Sequence, residues 1–130
     1  MTVFRSGYLV AAVLSVGLLA GCGDRAAKTD ESFENFTAEQ IYKRGEYELE
    51  NTRKPKDAVK YFTEVERLYP YSEWAKRALI MQAYSYHRAH DYEEARGAAQ
   101  RFLDTYPGDE DAAYAKYLLA LSYYDQIDEV

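Results

Sequence analysis

Small and apolar residues recur at helical spacing along the second half of the chain. The i, i+3, i+4 spacing of one helix face is followed by Ala75, Ala78, Leu79, Ala83 and Tyr86, and again by Tyr92, Ala95, Ala99 and Phe102. A short turn at 89–91 separates the two sets, and Asp91 with Glu94 forms an Asp-x-x-Glu box typical of a helix start. The pattern therefore predicts two helices joined by a tight turn.

This helix pair belongs to an internal repeat. Pro70 and Pro107 lie 37 positions apart, each just past a predicted second helix, where proline cannot continue the helix. The same offset pairs Asp57 with Glu94, Ala58 with Ala95, Ala78 with Ala115, Ala83 with Ala120, Ser85 with Ser122 and Tyr86 with Tyr123. A period of about 20–50 residues indicates stacked repeats. We therefore expect an all-α solenoid of about two and a half helical hairpins, at 37–70, 71–107 and, in part, 108–130.

The repeat resembles the tetratricopeptide repeat, and that resemblance implies a right-handed superhelix. The motif places a small residue and then an aromatic residue on its first helix, an alanine early on its second and a proline at its end. These places are taken by Ala83, Tyr86, Ala95 and Pro107 in one copy, and the preceding copy has Tyr42, Leu49, Ala58, Phe62 and Pro70. The preceding copy departs from the motif at the small position, where Glu46 stands and Gly45 is out of step by one.

Residues 1–21 have the organisation of a lipoprotein signal peptide. Arg5 precedes an apolar stretch at 8–20 that is shorter than the roughly 20 residues of a membrane span. It closes on Leu-Ala-Gly-Cys at 19–22, which resembles a bacterial lipobox; the alternative, a cysteine buried in a membrane helix, fits the flanking residues poorly. The resemblance implies a diacylglycerol and an N-acyl chain on Cys22. Gly23 follows in place of aspartate, which implies the outer membrane, with the protein facing the periplasm.

The polar stretch at 22–36 predicts a flexible tether after the lipidated cysteine. Phe33 and Phe36 are its bulky apolar residues, and we expect them to pack against the first helix of the repeats. Thr37 and Gln40 form a capping box that opens this helix, which should end near residue 50.

A third repeat begins but is not completed. Its first helix is predicted at about 109–126, with Leu118, Leu119 and Leu121 on it. Solenoids need a polar capping element at each end, and none follows this helix. We therefore expect that the sequence is truncated or that a partner covers this end.

Charge and composition narrow the classes of function. The formal net charge is −6, and the signal peptide contributes one charged residue, Arg5, so the mature chain is more negative still. This opposes nucleic-acid binding, which uses a basic patch. The 14 tyrosines favour a protein interface, because tyrosine combines a large contact area with a polar tip.

The sequence offers no catalytic arrangement, and we expect neither enzymatic activity nor a metal or cofactor beyond the lipid on Cys22. His87, His90 and Asp91 come closest to a zinc site. They fall at a helix end, where the helix dipole favours histidine, and we prefer that structural interpretation.

Five residues on the first helix of the second repeat are left over after the core is assigned: Trp74, Arg77, Met81, Tyr84 and Arg88. In a repeat solenoid this face lines a concave groove, the usual binding surface. Their types are also those enriched at interfaces. The alternative is ordinary packing against the tether or a neighbouring helix.

Several segments are similar to the N-terminal part of the BamD (ComL/YfiO) family of outer-membrane protein assembly lipoproteins. These are the lipobox and residues 66–75, 84–86, 101–107 and 113–124. The resemblance implies a non-enzymatic part in folding and inserting β-barrel proteins. Unfolded β-barrel clients, the barrel subunit of the assembly machinery and accessory lipoproteins would be the partners. Two alternatives stay open: another periplasmic tetratricopeptide scaffold for envelope or cell-division complexes, and an envelope enzyme using His87, His90 and Asp91.

Overall fold

The structure, a computed structural model, describes residues 32–128, and all regular structure among them is helical. In chain order the elements are a 3-10 helix Phe33–Asn35, α1 Ala38–Tyr47, a π-helical turn Glu48–Thr52, α2 Pro55–Leu68, α3 Glu73–Arg88, α4 Tyr92–Thr105 and α5 Ala112–Asp128. Helices α1 and α2 form the first hairpin, α3 and α4 the second, and α5 begins a third. The all-α repeat architecture is confirmed. The signal peptide, Cys22 and the tether up to residue 31 lie outside the described residues.

Helix starts follow local hydrogen bonding. The Thr37 hydroxyl accepts the Gln40 N–H at 3.2 Å, and the Gln40 side chain accepts the Thr37 N–H at 2.8 Å, so the capping box opens α1 as predicted. Ser72 likewise caps α3 by accepting a backbone N–H of its first turn. The box predicted at Asp91 is wrong. Asp91 precedes α4, but its carboxylate pairs with Lys56 Nζ at 3.0 Å and makes no capping bond.

Consecutive helices pack side by side, and the buried residues form two clusters. The first cluster holds Ala38, Ile41, Tyr42, Ala58, Phe62, Val65, Ala75 and Ala78; the second holds Leu79, Ile80, Ala83, Ala98, Ala99, Phe102, Ala112, Ala115 and Leu118. Alanines dominate because small residues let helices approach closely, and the fully buried rings of Phe62 and Phe102 fill the remaining space.

The repeat offset is visible in atomic detail at one pair of serines. Ser85 and Ser122 are 37 positions apart, and both are fully buried. Each hydroxyl donates to the carbonyl four residues earlier, that of Met81 at 2.6 Å and that of Leu118 at 2.8 Å. Hydroxyls satisfied in this way can be buried without loss of hydrogen bonding. Helix α5 therefore repeats the inner face of α3.

The first hairpin does contain its small residue, contrary to the sequence prediction. Gly45 is buried, and a Cβ atom on it would lie 2.7 Å from the Phe62 ring. Gly45 precedes Ala58 by 13 positions, whereas Ala83 precedes Ala95 by 12. The π-helical turn lies inside the longer interval and absorbs the additional residue. Gly45 therefore occupies the small position, and the misfit at Glu46 is a one-residue insertion.

The segment before α1 is held against α2. Phe33 meets the Tyr61 ring edge-on at 5.5 Å between centroids, and it lies 6.4 Å from the Phe36 ring. The Tyr69 hydroxyl donates to the Phe36 carbonyl oxygen. We expected these phenylalanines to pack on the first helix; the ring and hydrogen-bond contacts found are with the second. The last residues of the tether are therefore part of the repeat domain.

Helix α5 has one covered face and one open face. Ala112, Ala115, Leu118 and Ser122 are buried against the second hairpin, whereas Tyr117, Tyr123, Tyr124 and Ile127 are between 57% and 72% exposed. Within residues 32–128, no helix is both long enough and apolar enough to cross a membrane.

Candidate functional site

The five residues singled out from the sequence lie along one stripe of α3, but only three of them share a cleft. Met81, Tyr84 and Arg88 line an open cleft of about 350 Å³. Its other wall comes from α1 and the π-helical turn and consists of Glu46, Leu49, Glu50 and Arg53. The cleft therefore lies between the first helices of the two hairpins, on the face where a repeat solenoid presents its binding surface.

Trp74 and Arg77 lie nearer the start of α3 and are not part of the cleft lining. The Trp74 ring contacts the Tyr42 ring at 5.1 Å between centroids and packs against the first buried cluster. The Arg77 guanidinium lies 5.2 Å from the centre of the Trp74 ring, a cation–π contact on the solvent side. For Trp74, packing within the repeat domain is the role that these contacts define.

Tyr42 connects this aromatic group to the cleft wall. Burial, followed by the charge of the Glu46 carboxylate, raises the pKa of Tyr42 to about 12. The phenol is therefore neutral at physiological pH and can donate a hydrogen bond to the Glu46 carboxylate. Glu46 also pairs with Lys43 at 2.8 Å. The position of Glu46 at the cleft is thus fixed by two neighbours on its own helix.

Tyr84 and Arg88 form the opposite wall as a unit. Arg88 Nη1 donates to the Tyr84 hydroxyl at 2.8 Å, and the guanidinium carbon lies 5.7 Å from the ring centroid. The body of Tyr84 packs against the second buried cluster. Tyr84 is therefore both a packing residue and a cleft residue, and a test of its role has to separate the two.

Sequence reasoning missed the other wall. Glu46, Leu49, Glu50 and Arg53 were not singled out, although the mismatch at Gly45 marked this segment as unusual. Together with Arg88 they give the cleft two carboxylates and two guanidiniums beside the apolar side chains of Met81 and Leu49. Such a surface suits a chain with both apolar and charged groups.

Helix α5 carries a pair of stacked, partly exposed tyrosine rings. The rings of Tyr114 and Tyr117 are stacked, 6.1 Å apart and 23° from parallel, and are 41% and 57% exposed. Burial, then the charge of the Tyr84 phenol, raises the pKa of Tyr114. These tyrosines were also missed as site residues, because the sequence prediction considered only the repeat that was best defined.

The residues considered for zinc each bind elsewhere. His87 Nε2 lies 2.8 Å from Asp125 Oδ2 on α5, His90 Nδ1 lies 2.9 Å from the Tyr92 hydroxyl, and Asp91 pairs with Lys56. Across residues 32–128, no three potential metal-ligating side chains gather in one place. The His87–Asp125 contact instead connects α3 to the end of α5.

The fold defines a helical-repeat domain of the tetratricopeptide type. A profile of the YfiO family, described as outer membrane lipoprotein, matches residues 34–130, and the chain belongs to this family.

Three curated relatives share the name outer membrane protein assembly factor BamD. The chain is 40% identical to that of Caulobacter vibrioides over 126 residues (97% of this chain, 41% of the relative). It is 37% identical to that of Rickettsia prowazekii over 123 residues (94% and 47%) and 27% identical to that of Neisseria gonorrhoeae over 116 residues (87% and 43%). The chain thus spans less than half the length of these relatives.

Proposed function

We propose that this chain is the N-terminal repeat region of an outer-membrane protein assembly factor and that it acts by binding, without catalysis. Its clients are unfolded β-barrel proteins on their way into the outer membrane. Membership of the YfiO family and the names of the relatives support this proposal. The barrel subunit of the assembly machinery and accessory lipoproteins are the proposed stable partners.

The observation that carries the proposal is the chemistry of the cleft. An extended segment of a β-barrel protein presents alternating side chains, many of them aromatic or aliphatic. Met81 adapts to varied shapes because a thioether side chain is flexible, and Tyr84 offers a rigid ring. Arg88 and Arg53 stand at the rim of the same cleft, where a guanidinium can hold a client's terminal carboxylate through charge-assisted hydrogen bonds.

The client site can be tested on Tyr84. The probe is a ten-residue photo-crosslinking peptide of alternating aromatic and polar residues with a free terminal carboxylate. Tyr84→Ala should lower its affinity by about thirtyfold, equivalent to about 2 kcal/mol, in a protein that remains folded at the assay temperature although its melting temperature falls. Tyr71→Ala is the matched control, because the Tyr71 side chain is 99% exposed and does not line the cleft.

Two outcomes would count against the client site. Undiminished crosslinking of Tyr84→Ala would show that the peptide binds elsewhere. A variant that is unfolded at the assay temperature would show that the packing of Tyr84 on the second buried cluster accounts for the lost crosslinking. A peptide with an amidated C-terminus separates the contributions: it should bind more weakly than the free acid if Arg88 or Arg53 holds the carboxylate.

Anchoring at the outer membrane is a separate part of the proposal. It rests on the lipobox that ends at Cys22 and on Gly23 after it. Each buried methylene of an acyl chain adds about 0.8 kcal/mol, and several chains give a stable anchor. Ten residues, 23–32, separate Cys22 from Phe33, and a segment of ten residues spans at most about 36 Å when fully extended. The repeat domain would then stay close to the periplasmic face of the membrane.

Fractionation of a Cys22→Ala variant tests this anchor. The variant should move from the outer-membrane fraction to the soluble periplasmic fraction. A Cys22→Ala protein that still sediments with the outer membrane would show that the lipid is not the anchor.

A further inference from the structure

The π-helical turn between α1 and α2 has a feature that packing alone does not explain. A turn whose hydrogen bonds span five residues is rare and arises where one residue has been added to an α-helix; such turns are often found at functional sites. Here the Arg53 N–H donates to the Glu48 carbonyl, five residues back, and the Thr52 hydroxyl lies 2.7 Å from the same carbonyl oxygen and 2.6 Å from the Glu48 carboxylate, the two acceptors that share its one proton. The wide turn is thus stabilised by the side chain of Thr52, one of its own residues.

The two hairpins locate the added residue. Both end their first helix through a residue with left-handed backbone, Arg53 with φ 55° and His90 with φ 62°. These two residues are 37 positions apart, as are Ala58 and Ala95, so the hairpins match from this point on. Before it they do not: Gly45 precedes Arg53 by eight positions, whereas Ala83 precedes His90 by seven. The addition therefore lies between Gly45 and Arg53, where the π-helical turn is.

The same turn supplies one wall of the cleft. Of the seven lining residues, Leu49 and Glu50 lie within the π-helical turn and Arg53 ends it. Closing a hydrogen bond over five residues widens the turn, which displaces the backbone that follows Glu48 relative to an α-helix. The corresponding end of α3 is regular α-helix through Arg88. The wall thus consists of residues whose positions depend on the inserted residue.

We propose that the π-helical turn Glu48–Thr52 is the positioning element of the binding cleft: its additional residue holds Leu49, Glu50 and Arg53 opposite α3 and keeps the cleft open for an extended peptide. The identity of the ligand rests on the proposed function, whereas the opening of the cleft does not. Removing one residue gives the first hairpin the spacing of the second. The cleft then closes while the fold is retained.

Deletion of Asn51 is the direct test. Asn51 is exposed and does not line the cleft, and its side chain makes one hydrogen bond, to the Tyr47 carbonyl at 3.3 Å. Asn51→Ala is the matched control, since it removes that bond and keeps the chain length. The first readout needs no peptide. In the full chain carrying Cys22→Ser, a thiol introduced by Met81→Cys should react with a maleimide about tenfold more slowly after the deletion, and at the original rate with Asn51→Ala.

The second readout is affinity for the ten-residue peptide. The deletion should weaken it by at least about tenfold at an equal or higher melting temperature, with Asn51→Ala unchanged. A folded deletion variant with the original thiol reactivity overturns the proposal. If reactivity falls but the unmodified chain never binds the peptide, the cleft is shaped by the π-helical turn and the client proposal has failed.

If the deletion variant shows no helical circular dichroism, Thr52→Val replaces it as the test. This substitution keeps the chain length and removes the hydroxyl that supports the turn. Hydrogen exchange at the Arg53 amide reports whether the five-residue hydrogen bond has opened. The proposal is supported if Thr52→Val loses hydrogen-exchange protection at the Arg53 amide and the thiol at position 81 reacts more slowly with maleimide. Unchanged reactivity with lost protection overturns it.

Discussion

The two complete hairpins fill their interiors with opposite arrangements of large and small residues. In the first, Gly45 lies against the Phe62 ring, four positions after Ala58. In the second, the position four after Ala95 is Ala99, and the large ring comes three positions later, at Phe102. Each hairpin buries one phenylalanine completely. The same repeat motif therefore tolerates a ring at either of two positions, as long as the facing helix supplies matching space.

The comparison also shows where the hairpins stop being equivalent. The second hairpin joins its helices by a short turn after a regular α-helix. Its first helix, α3, carries the cleft wall that was predicted from the sequence. The first hairpin joins its helices through a π-helical turn and contributes the cleft wall that was not predicted from the sequence. The hairpins thus share one fully buried phenylalanine each, but they differ in the position of that ring and in the turn that lines the cleft.

The largest effect is expected from removing either ring. Phe62→Ala and Phe102→Ala should each lower the free energy of unfolding by about 3–5 kcal/mol, because both rings are fully buried and their removal leaves a cavity. Chemical denaturation measures both losses. A much smaller loss for one of them would show that its hairpin collapses around the cavity, so that the two arrangements are not equally rigid.

Glycine-to-alanine substitutions at two positions should have intermediate effects on the free energy of unfolding, with opposite signs. Gly45→Ala should destabilise the chain by about 1–3 kcal/mol, because the new methyl group would meet the Phe62 ring at 2.7 Å. Gly97→Ala in α4 meets no atom within 4 Å and should stabilise it by about 0.5–1 kcal/mol through helix propensity.

Thermal denaturation of both glycine variants gives the comparison, and Gly45→Ala with Phe62→Leu adds a rescue. The smaller side chain of leucine should recover part of the loss if the clash with Phe62 is its cause. A stabilising Gly45→Ala would mean that the first hairpin opens easily, contrary to its tight packing.

Much of the fold follows from the sequence because its signals are local or periodic. The offset of 37 between Ser85 and Ser122 is periodic, and the capping box at Thr37 depends on neighbours along one helix; both are present in the structure. The sequence also placed Met81, Tyr84 and Arg88 on one face of α3. Their common cleft follows from the helical period.

The missed features depend on contacts between helices. The contact between Gly45 and Phe62 is visible only in the folded structure. The one-residue misfit at Gly45 was therefore interpreted as a departure from the motif, and the π-helical turn was not predicted. The cleft residues of that turn were missed for the same reason. Trp74 was predicted to line the groove from its face of α3 and its residue type, but its ring partner Tyr42 lies 32 positions earlier in the sequence.

The smallest effect concerns how the hairpins begin their helices, and it separates a side-chain cap from a residue that merely stands at the cap position. The Thr37 hydroxyl accepts a backbone N–H of α1, so Thr37→Ala leaves that donor without its side-chain partner and should cost about 0.5–2 kcal/mol. Asp91 stands before α4, but its carboxylate forms an exposed pair with Lys56 and no capping bond. Exposed pairs of this kind contribute about 0–1 kcal/mol, so Asp91→Ala should cost less than Thr37→Ala.

High salt distinguishes the causes, because it screens the Asp91–Lys56 pair and leaves the neutral hydrogen bond of Thr37 in place. If the two losses are equal and the Asp91→Ala loss persists in high salt, the Asp91 carboxylate caps α4 in solution, and the difference between the helix starts disappears.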